Sequence, residues 1–470
     1  MKNMLFSLFL ADAKGIPAWA FFLIIFVIIA SFIIYAVLTT KNALKVNNET
    51  WLMKTWKKDS VKSVASSIIS IILGLSIGCI ILLISGLIPS GGVATSFKTI
   101  INAIQLVFFG IFNTGKEGTT LMYGFNGANI GNMLFRATPL ILTGLSVAVA
   151  FKTGLFNIGA PGQYLMSTAA TLILALVIPT SVIPPFFVWL IAFVGGVLAG
   201  ALWGCIPGIF KAFLNVNEVI TCIMLNWIAA NVVTMLFDKT TGPFKFLLEG
   251  GDKQYTYVFK TTHNGVATAK LGLDKIFAGS QINGGILVAI IIAVVVAKVL
   301  NRTTFGYQLK ACGSNRNAAK YAGINDKKYI IFAMAIAGGL AGAGASLYYL
   351  SGNTEFAWST YQSLPAAGFN GIPVALLACN NPIGVIFSAS FISLLDVNGM
   401  QIKYMTTYNE YITSIISAII VYFSAFSLLF KQILNGKIKI NFKNIFKRNN
   451  KSTVETTEDL PVKDNTKEEA

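Results

Sequence analysis

An unbroken apolar run near the start of the chain, "AWAFFLIIFVIIASFIIYAVL" (18–38), carries one polar residue, Ser31, and no charge. About 20 such residues wound as a helix cross the hydrocarbon core of a bilayer. Within that core every backbone polar group must be bonded inside the protein, which a helix does by itself. The run is too long for the core of a cleaved leader and reads as a retained span. Blocks of the same kind follow at 65–88, 134–151, 164–179, 184–208, 214–237, 285–300 and 329–350, with a last clear one at Tyr411–Phe430. The spacing predicts an all-α polytopic membrane protein. With 12% charged residues against 55% hydrophobic ones, the chain has about half the charge of an ordinary soluble domain.

The charges set its orientation. Lys41, Lys45, Lys54, Lys57, Lys58 and Lys62 follow the first run, which places that loop in the cytoplasm and the N-terminus outside. The block from Ala65 then runs outward. Lys98–Phe112 is only moderately apolar and is expected as an outer-surface helix, while 238–281 is expected as an extracellular insertion. The stretch 366–398, split by Asn380-Asn381-Pro382, reads as a re-entrant helix pair or as two short spans. Three regions result: 1–62, an extra N-terminal span with a cytoplasmic linker; 63–430, the main transmembrane domain; and 431–470, a tail first basic and then acidic. Lys431, Lys437, Lys439, Lys443, Lys447 and Arg448 read either as contacts to anionic membrane lipid or as a plain stop-transfer flank, and the polar stretch from about Ser452 has nothing to bury. The net charge of +17 gathers at the ends of apolar blocks, a placement that argues against a nucleic-acid partner.

Several chemistries are excluded by what is missing. An intramembrane hydrolase needs a nucleophile–base pair or a motif such as H-E-x-x-H, and the chain has a single histidine, His263. Five scattered cysteines give neither a disulfide framework nor a metal site, and no motif calls for a cofactor. "GIFNTGK" (110–116) fits a phosphate-binding loop, but Glu117 stands where a magnesium-binding Ser or Thr is needed. The match is a chance one, and this chain is not expected to hydrolyse ATP itself. A carrier driven by an ion gradient would hold ionisable groups inside its spans, and these span interiors read as nearly free of them.

Two stretches stand out. "GLFNIGAPGQYLM" (154–166) places three glycines and a proline between apolar blocks. Gly159 and Gly162 permit a bend and close approach, and Pro161 removes a donor. Irregular backbone at membrane depth requires protein or a water-filled cavity to satisfy it. The freed groups, with Asn157 and Gln163, either line a polar path for a neutral, hydrogen-bonding solute or are sealed by neighbouring helices. Phe369-Asn370, Gly371 and Pro373 repeat the pattern Phe156-Asn157, Gly159, Pro161, as matched breaks along a transport path do. Asn226 and Asn231 lie within one apolar block and either bond across helices or face the path. Asn217 and Glu218 read as the cap and first-turn charge of that helix.

The second stretch, "RTTFGYQLKACGSNRNAAKYAGIND" (302–326), is cytoplasmic by its charges, within a segment spanning 302–328. Ser314 and Asn315 are placed to cap a short helix through Asn317–Ala322 that Gly323 ends. Its small-residue face suits close docking by a cytoplasmic subunit.

At these residues a resemblance appears. "GSNRNAAKYAGI" (313–324) is similar to the coupling segment of bacterial ABC importer permeases, the family of ribose, branched-chain amino acid and nucleoside permeases. "TPLILTGLSVAVAFKTGLFNIGAPGQ" (138–163), "VNEVITCIMLNWIA" (216–229) and "GFNGIPVALLACNNPIGV" (368–385) resemble the nucleoside branch in particular. The resemblance implies a type II ABC importer-like permease with about 9–11 membrane segments, some broken or re-entrant. It also implies a separate ATPase subunit, a second related permease completing a heterodimer, and an extracellular substrate-binding lipoprotein that delivers a nucleoside. The ATPase would dock on Gly313, Asn315, Ala318, Ala319, Tyr321 and Gly323. The path would involve Asn157, Gly159, Gly162, Gln163, Asn226 and Asn370. The chain departs from the family pattern at Pro161 and Asn370, where acids are usual, and at Ala378-Cys379, in place of Gly-Arg. Ribose or branched-chain amino acids are the alternative cargo.

Overall fold

The computed structural model describes residues 15–45, 51–56, 58–87, 97–248, 263–359, 362–409 and 411–435. The expectations for Lys57, for 249–262 and for the tail beyond 435 lie outside these residues, as do the side chains of Lys41 and Lys45. The helices used below are α1 (Ala18–Lys45), α2 (Asp59–Leu87), α3 (Phe97–Phe109), α4 (Gly127–Lys152), α5 (Ala160–Val177), α6 (Pro185–Leu214), α7 (Glu218–Leu236) and α8 (Gly285–Arg302). They continue with α9 (Thr304–Ser314), α10 (Arg316–Tyr321), α11 (Asp326–Tyr349), α12 (Ala366–Leu377), α13 (Pro382–Met405), α14 (Tyr411–Ser424) and α15 (Ser427–Leu434). Among the described residues eight helices are long and apolar enough to cross a membrane, namely α2, α4 to α8, α11 and α13. Shorter apolar helices at Ala18–Ile28, Phe97–Phe112, Ala366–Leu377 and Tyr411–Phe423 accompany them.

α4 and α11 form the centre, and Ala137–Ala150 of α4 is buried without interruption. Such a helix is apolar all round because protein surrounds it. α6 and α7 lie outside, with Leu202, Ile220, Met224 and Trp227 more than half exposed toward lipid or partner. α6 meets α11 along a seam rich in glycine. A Cβ added at Gly200 would come within 2.5 Å of the Gly338 carbonyl oxygen, and one at Gly338 within 2.2 Å of the Gly200 oxygen. One at Gly204 would meet the Met334 oxygen at 2.4 Å, and one at Gly342 the Gly196 oxygen at 2.7 Å. Small residues four apart let membrane helices approach backbone to backbone, where van der Waals contact holds them.

As the sequence reading has it, Lys98–Phe112 is a helix and not one of the eight spans; α3 packs on the bundle, burying Ile100, Asn102, Ala103, Leu106 and Val107, and Asn398 of α13 donates from Nδ2 to the Val107 carbonyl at 2.8 Å. Two details differ from the sequence reading. The stretch 366–398 is neither a matched re-entrant pair nor two short spans. α12 has 12 residues, about 18 Å, and α13 has 24, about 36 Å. Between them Cys379 and Asn380 adopt positive φ, and Asn381 caps α13 by accepting from the Ile383 and Gly384 amides. The Tyr411–Phe430 block is broken into α14 and α15 by the turn at Ala425-Phe426. One element had no forerunner in the sequence reading. Asn113–Glu117 (β2) and Thr120–Tyr123 (β3) form a hairpin, and β3 pairs antiparallel with Ile16–Pro17 (β1). Phe21 stacks on Tyr123 beside it, with centroids 5.0 Å apart. The extra N-terminal helix is thus anchored to the outer end of the bundle.

Candidate functional site: a buried break joined to a cytoplasmic docking helix

α4 ends at Lys152, Gly154 turns the chain at φ 71°, and α5 begins only at Ala160. Thr153, Leu155, Asn157 and Gly159 of the intervening stretch are buried while Gly154 is exposed, and several of its polar groups are bonded within the protein. Asn157 donates from Nδ2 to Ser146 Oγ (3.0 Å) and to Gln163 Oε1 (2.8 Å). Its Oδ1 accepts from Gln163 Nε2 (3.1 Å) and from the Gly159 amide (3.1 Å). Asn226 reaches across from α7, accepting from the Gly162 amide at 2.9 Å and donating to the Ile158 carbonyl at 3.0 Å. Gly159 and Gly162 admit α7 at this point, since Cβ atoms there would meet Cys222 Sγ at 2.9 Å and Asn226 Oδ1 at 2.7 Å. Asn157, Gln163 and Asn226 are 2% exposed or less. Of the two expectations for this break, the geometry favours a seal by neighbouring helices: these amides are closed on one another.

The expected second break is not one: Phe369, Asn370, Gly371 and Pro373 lie within the continuous helix α12, which packs against the first break. A Cβ on Gly368 of α12 would fall 2.5 Å from Pro161 Cα, and one on Gly371 would fall 2.7 Å from the Thr143 backbone. Asn370 is half-exposed on this short helix and stands apart from the buried amides. Asn231 is exposed and bonds back to Trp227 of its own helix. Asn217 caps α7 by accepting from the Val219 amide, and Glu218 pairs with Lys211 at 3.0 Å.

On the cytoplasmic side, Asn315 caps α10 by accepting from the Ala318 amide at 3.0 Å, and Gly323 ends the turn at φ 77°. Ser314 belongs to the last turn of α9 and does not cap α10. Tyr321 is 94% exposed and Ala318 is exposed, whereas Ala319 is buried against the protein at 4%. The outward face of α10 is therefore built on Ala318 and Tyr321. A cavity of about 500 Å³ opens between α9 and α10, lined by small or slender groups at Ala311, Ser314, Ala318 and Ala322. Burial pushes the Cys312 thiol behind it above its ordinary range.

Gly313 does not face outward either. Its Cα packs on the start of the break, where a Cβ would lie 2.5 Å from the Thr153 carbonyl carbon and 2.7 Å from the Gly154 nitrogen. Arg316, which sequence reasoning used only to place the loop inside the cell, holds the other end. Its Nε meets Asp326 Oδ2 at 2.6 Å, and Nη1 donates to Asn215 Oδ1 at 3.4 Å. Those two residues are the first of α11 and the left-handed cap of α6. The segment of α9 and α10 is thus fixed to the break on one side and to the α6–α11 pair on the other.

Two charged residues inside spans also escaped the sequence reading. Arg136 and Asp396 each lie nine residues from the outer end of their helices, α4 and α13, about 13 Å deep. They interact electrostatically, and Arg136 Nη2 donates to Met400 Sδ at 3.6 Å. A search for single charges within apolar blocks would have found both. "GIFNTGK" forms a 3-10 turn running into β2; it does not make the strand-to-helix cradle of a phosphate loop.

Comparisons with known proteins give the family of the chain. The family model for the branched-chain amino acid transport system / permease component matches residues 129–425. The chain is 33% identical over 373 residues to the guanosine ABC transporter permease protein NupP of Bacillus subtilis, covering 79% of this chain and 95% of that one. It is 34% identical over 354 residues to the nucleoside ABC transporter permease protein NupB of Lactococcus lactis, covering 73% and 92%. It is 29% identical over 310 residues to the glucose ABC transporter permease protein TsgB13 of Haloferax volcanii, covering 65% and 78%. No solved structure matches the chain.

Proposed function

The chain belongs to the branched-chain amino acid transport system / permease component family, and we propose that it is the permease subunit of an ATP-driven importer that carries nucleosides across the cytoplasmic membrane. It is a multi-pass protein of that membrane. The reading of its cargo rests on the similarity to NupP and NupB, each of which spans most of this chain. Glucose, in the name of a more distant relative, makes a sugar the second reading.

The observation that carries the mechanism is the double attachment of the segment of α9 and α10. A separate ATPase subunit docks on the exposed face at Ala318 and Tyr321, with a side chain entering the hollow between α9 and α10. Its ATP-driven motion passes through Gly313 to the buried break and through Arg316 to α6 and α11. Asn157, Gln163, Asn226, Gly159 and Gly162 keep the break in one shape, so that it moves as a unit. Asn370, half-exposed on the adjoining short helix, faces the path. A second, related permease completes the pore, and an extracellular binding lipoprotein delivers the solute. The pore then opens alternately to the two sides. Bonds to neutral amides suit an uncharged solute rich in donors and acceptors.

The experiment is uptake of labelled guanosine, adenosine and uridine into cells with and without this gene, challenged with excess ribose, glucose and leucine. Gene-dependent nucleoside uptake that no competitor blocks is expected. Gene-dependent uptake of glucose or ribose with no nucleoside uptake overturns the cargo while leaving the family assignment intact.

A further inference from the structure

A second cavity, of about 690 Å³, lies at the cytoplasmic end of the bundle between α2 and α13, a volume typical of ligand sites. One end is polar and basic: Ser63 and Ser67 from α2, Lys152 at the end of α4, Asn381 at the cap of α13 and Lys431 of α15. The rest is apolar, made by Ile68, Ile71 and Phe391. Its rim belongs to the lipid-facing surface, with Val64 60%, Ile68 49% and Phe387 73% exposed.

The charges in this cavity are one-sided. Lys310 of α9 and Lys431 both lie close enough to Lys152 for their charges to repel its own. No carboxylate is among the described residues lining the cavity, and Lys152 has no hydrogen-bond or ion-pair partner among the described residues. Lys152 and Lys431, brought from two separate segments to the polar end of the cavity, make it favourable to an anion. Water alone would solvate both cations, but it gives no reason for the apolar wall that continues from them to the membrane surface.

We propose that this cavity binds the head group of an anionic phospholipid from the inner leaflet, with its acyl chains lying along Ile68, Ile71 and Phe387. The phosphate sits between Lys152 and Lys431. Lys310 stands in the helix that leads to the docking segment, so an occupied site draws α9 toward the end of α4 and holds the Gly313 contact closed. The inference does not depend on which solute is carried.

The test uses the whole importer, purified with its partner subunits and placed in nanodiscs of phosphatidylcholine with or without phosphatidylglycerol. Native mass spectrometry counts phosphatidylglycerol retained per complex. Wild type is expected to retain it, and each of Lys152→Gln and Lys431→Gln to lower its retention about five-fold, the usual effect of one basic residue near an anionic surface. Ile71→Trp fills the apolar half without touching a charge and is expected to expel the lipid, which keeps the test decisive should a lysine variant fail to fold. Lys298→Gln, on α8 and away from the cavity, is expected to change nothing. Equal retention in wild type, the lysine variants and Ile71→Trp overturns the proposal. Displacement of the lipid by millimolar inorganic phosphate also overturns it, by identifying a soluble anion as the occupant.

Discussion

Gly313→Ala puts the proposed force-transmitting contact to a direct test. A new Cβ would sit 2.5 Å from the Thr153 carbonyl carbon and 2.7 Å from the Gly154 nitrogen, while carbon atoms rest at about 3.5 Å or more. The end of α9 must therefore withdraw from the break by about 1 Å. The obstacle is backbone on both sides, and Gly154 is itself fixed at positive φ, so no side-chain rotation relieves it. Overpacking of this kind costs about 1–3 kcal/mol, enough to open the contact and too little to unfold a bundle held by α4, α6 and α11. The expected phenotype is uncoupling. In proteoliposomes containing the complete importer, ATP hydrolysis continues near the wild-type rate while nucleosides taken up per ATP fall several-fold. Gly323→Ala is the comparison: it has positive φ and open space around it, so the local turn is strained while the contact with the break is untouched. An unchanged transport-to-ATP ratio in Gly313→Ala would refute the transmission route.

Other predictions divide the site by role. Ala318→Trp is expected to abolish uptake with an unaltered melting temperature, whereas Ala319→Trp, at a buried position, lowers the melting temperature as well; the reverse pattern would show that α10 presents its other face. Asn226→Ala leaves the Gly162 amide and the Ile158 carbonyl unpaired inside the bundle, a loss of about 2–5 kcal/mol, read as a large drop in melting temperature. Outside the membrane, bonds from the Thr240 side chain and from the Thr240 and Thr241 amides hold the Asp238 carboxyl down at about 2. With the folded value depressed, the turn gains full support above about pH 3.9 and loses it as pH falls toward 2. Amide exchange at Thr240 and Thr241 should therefore stay slow, relative to intrinsic rates, at pH 4 and become faster by pH 2.

Much of this architecture was legible because bilayers leave few choices. The apolar blocks around α4 to α8 and α11 had their cause written locally, in 18 to 30 consecutive residues. The same holds for Asn217 and Asn315, whose capping bonds reach only two or three residues along the chain. What escaped depends on distance in sequence. Asn226 closes on Gly162 across 64 positions, and no pattern near either residue announces the other. The β1–β3 pairing joins residues 16–17 to 122–123 through two backbone bridges, too short a strand for alternation to reveal. Ala318 and Ala319 are chemically identical, and only the placement of α9 decides which one faces the cytoplasm. Gly313 was selected for its position in a docking motif, but the structure makes it an inward contact.

The glycine seam between α6 and α11 has a consequence for ion leakage. α6 has 30 residues and is about 45 Å long, and Arg316 grips the inner ends of both helices. Where carbonyl oxygens face Gly200, Gly204, Gly338 and Gly342, little side chain lies between the helices to take up a partial stroke. Under the proposed mechanism, a tilt imposed at the inner end would appear at the outer end in the same movement and with opposite sign. A softer seam would then let both mouths stand ajar together and dissipate the membrane potential.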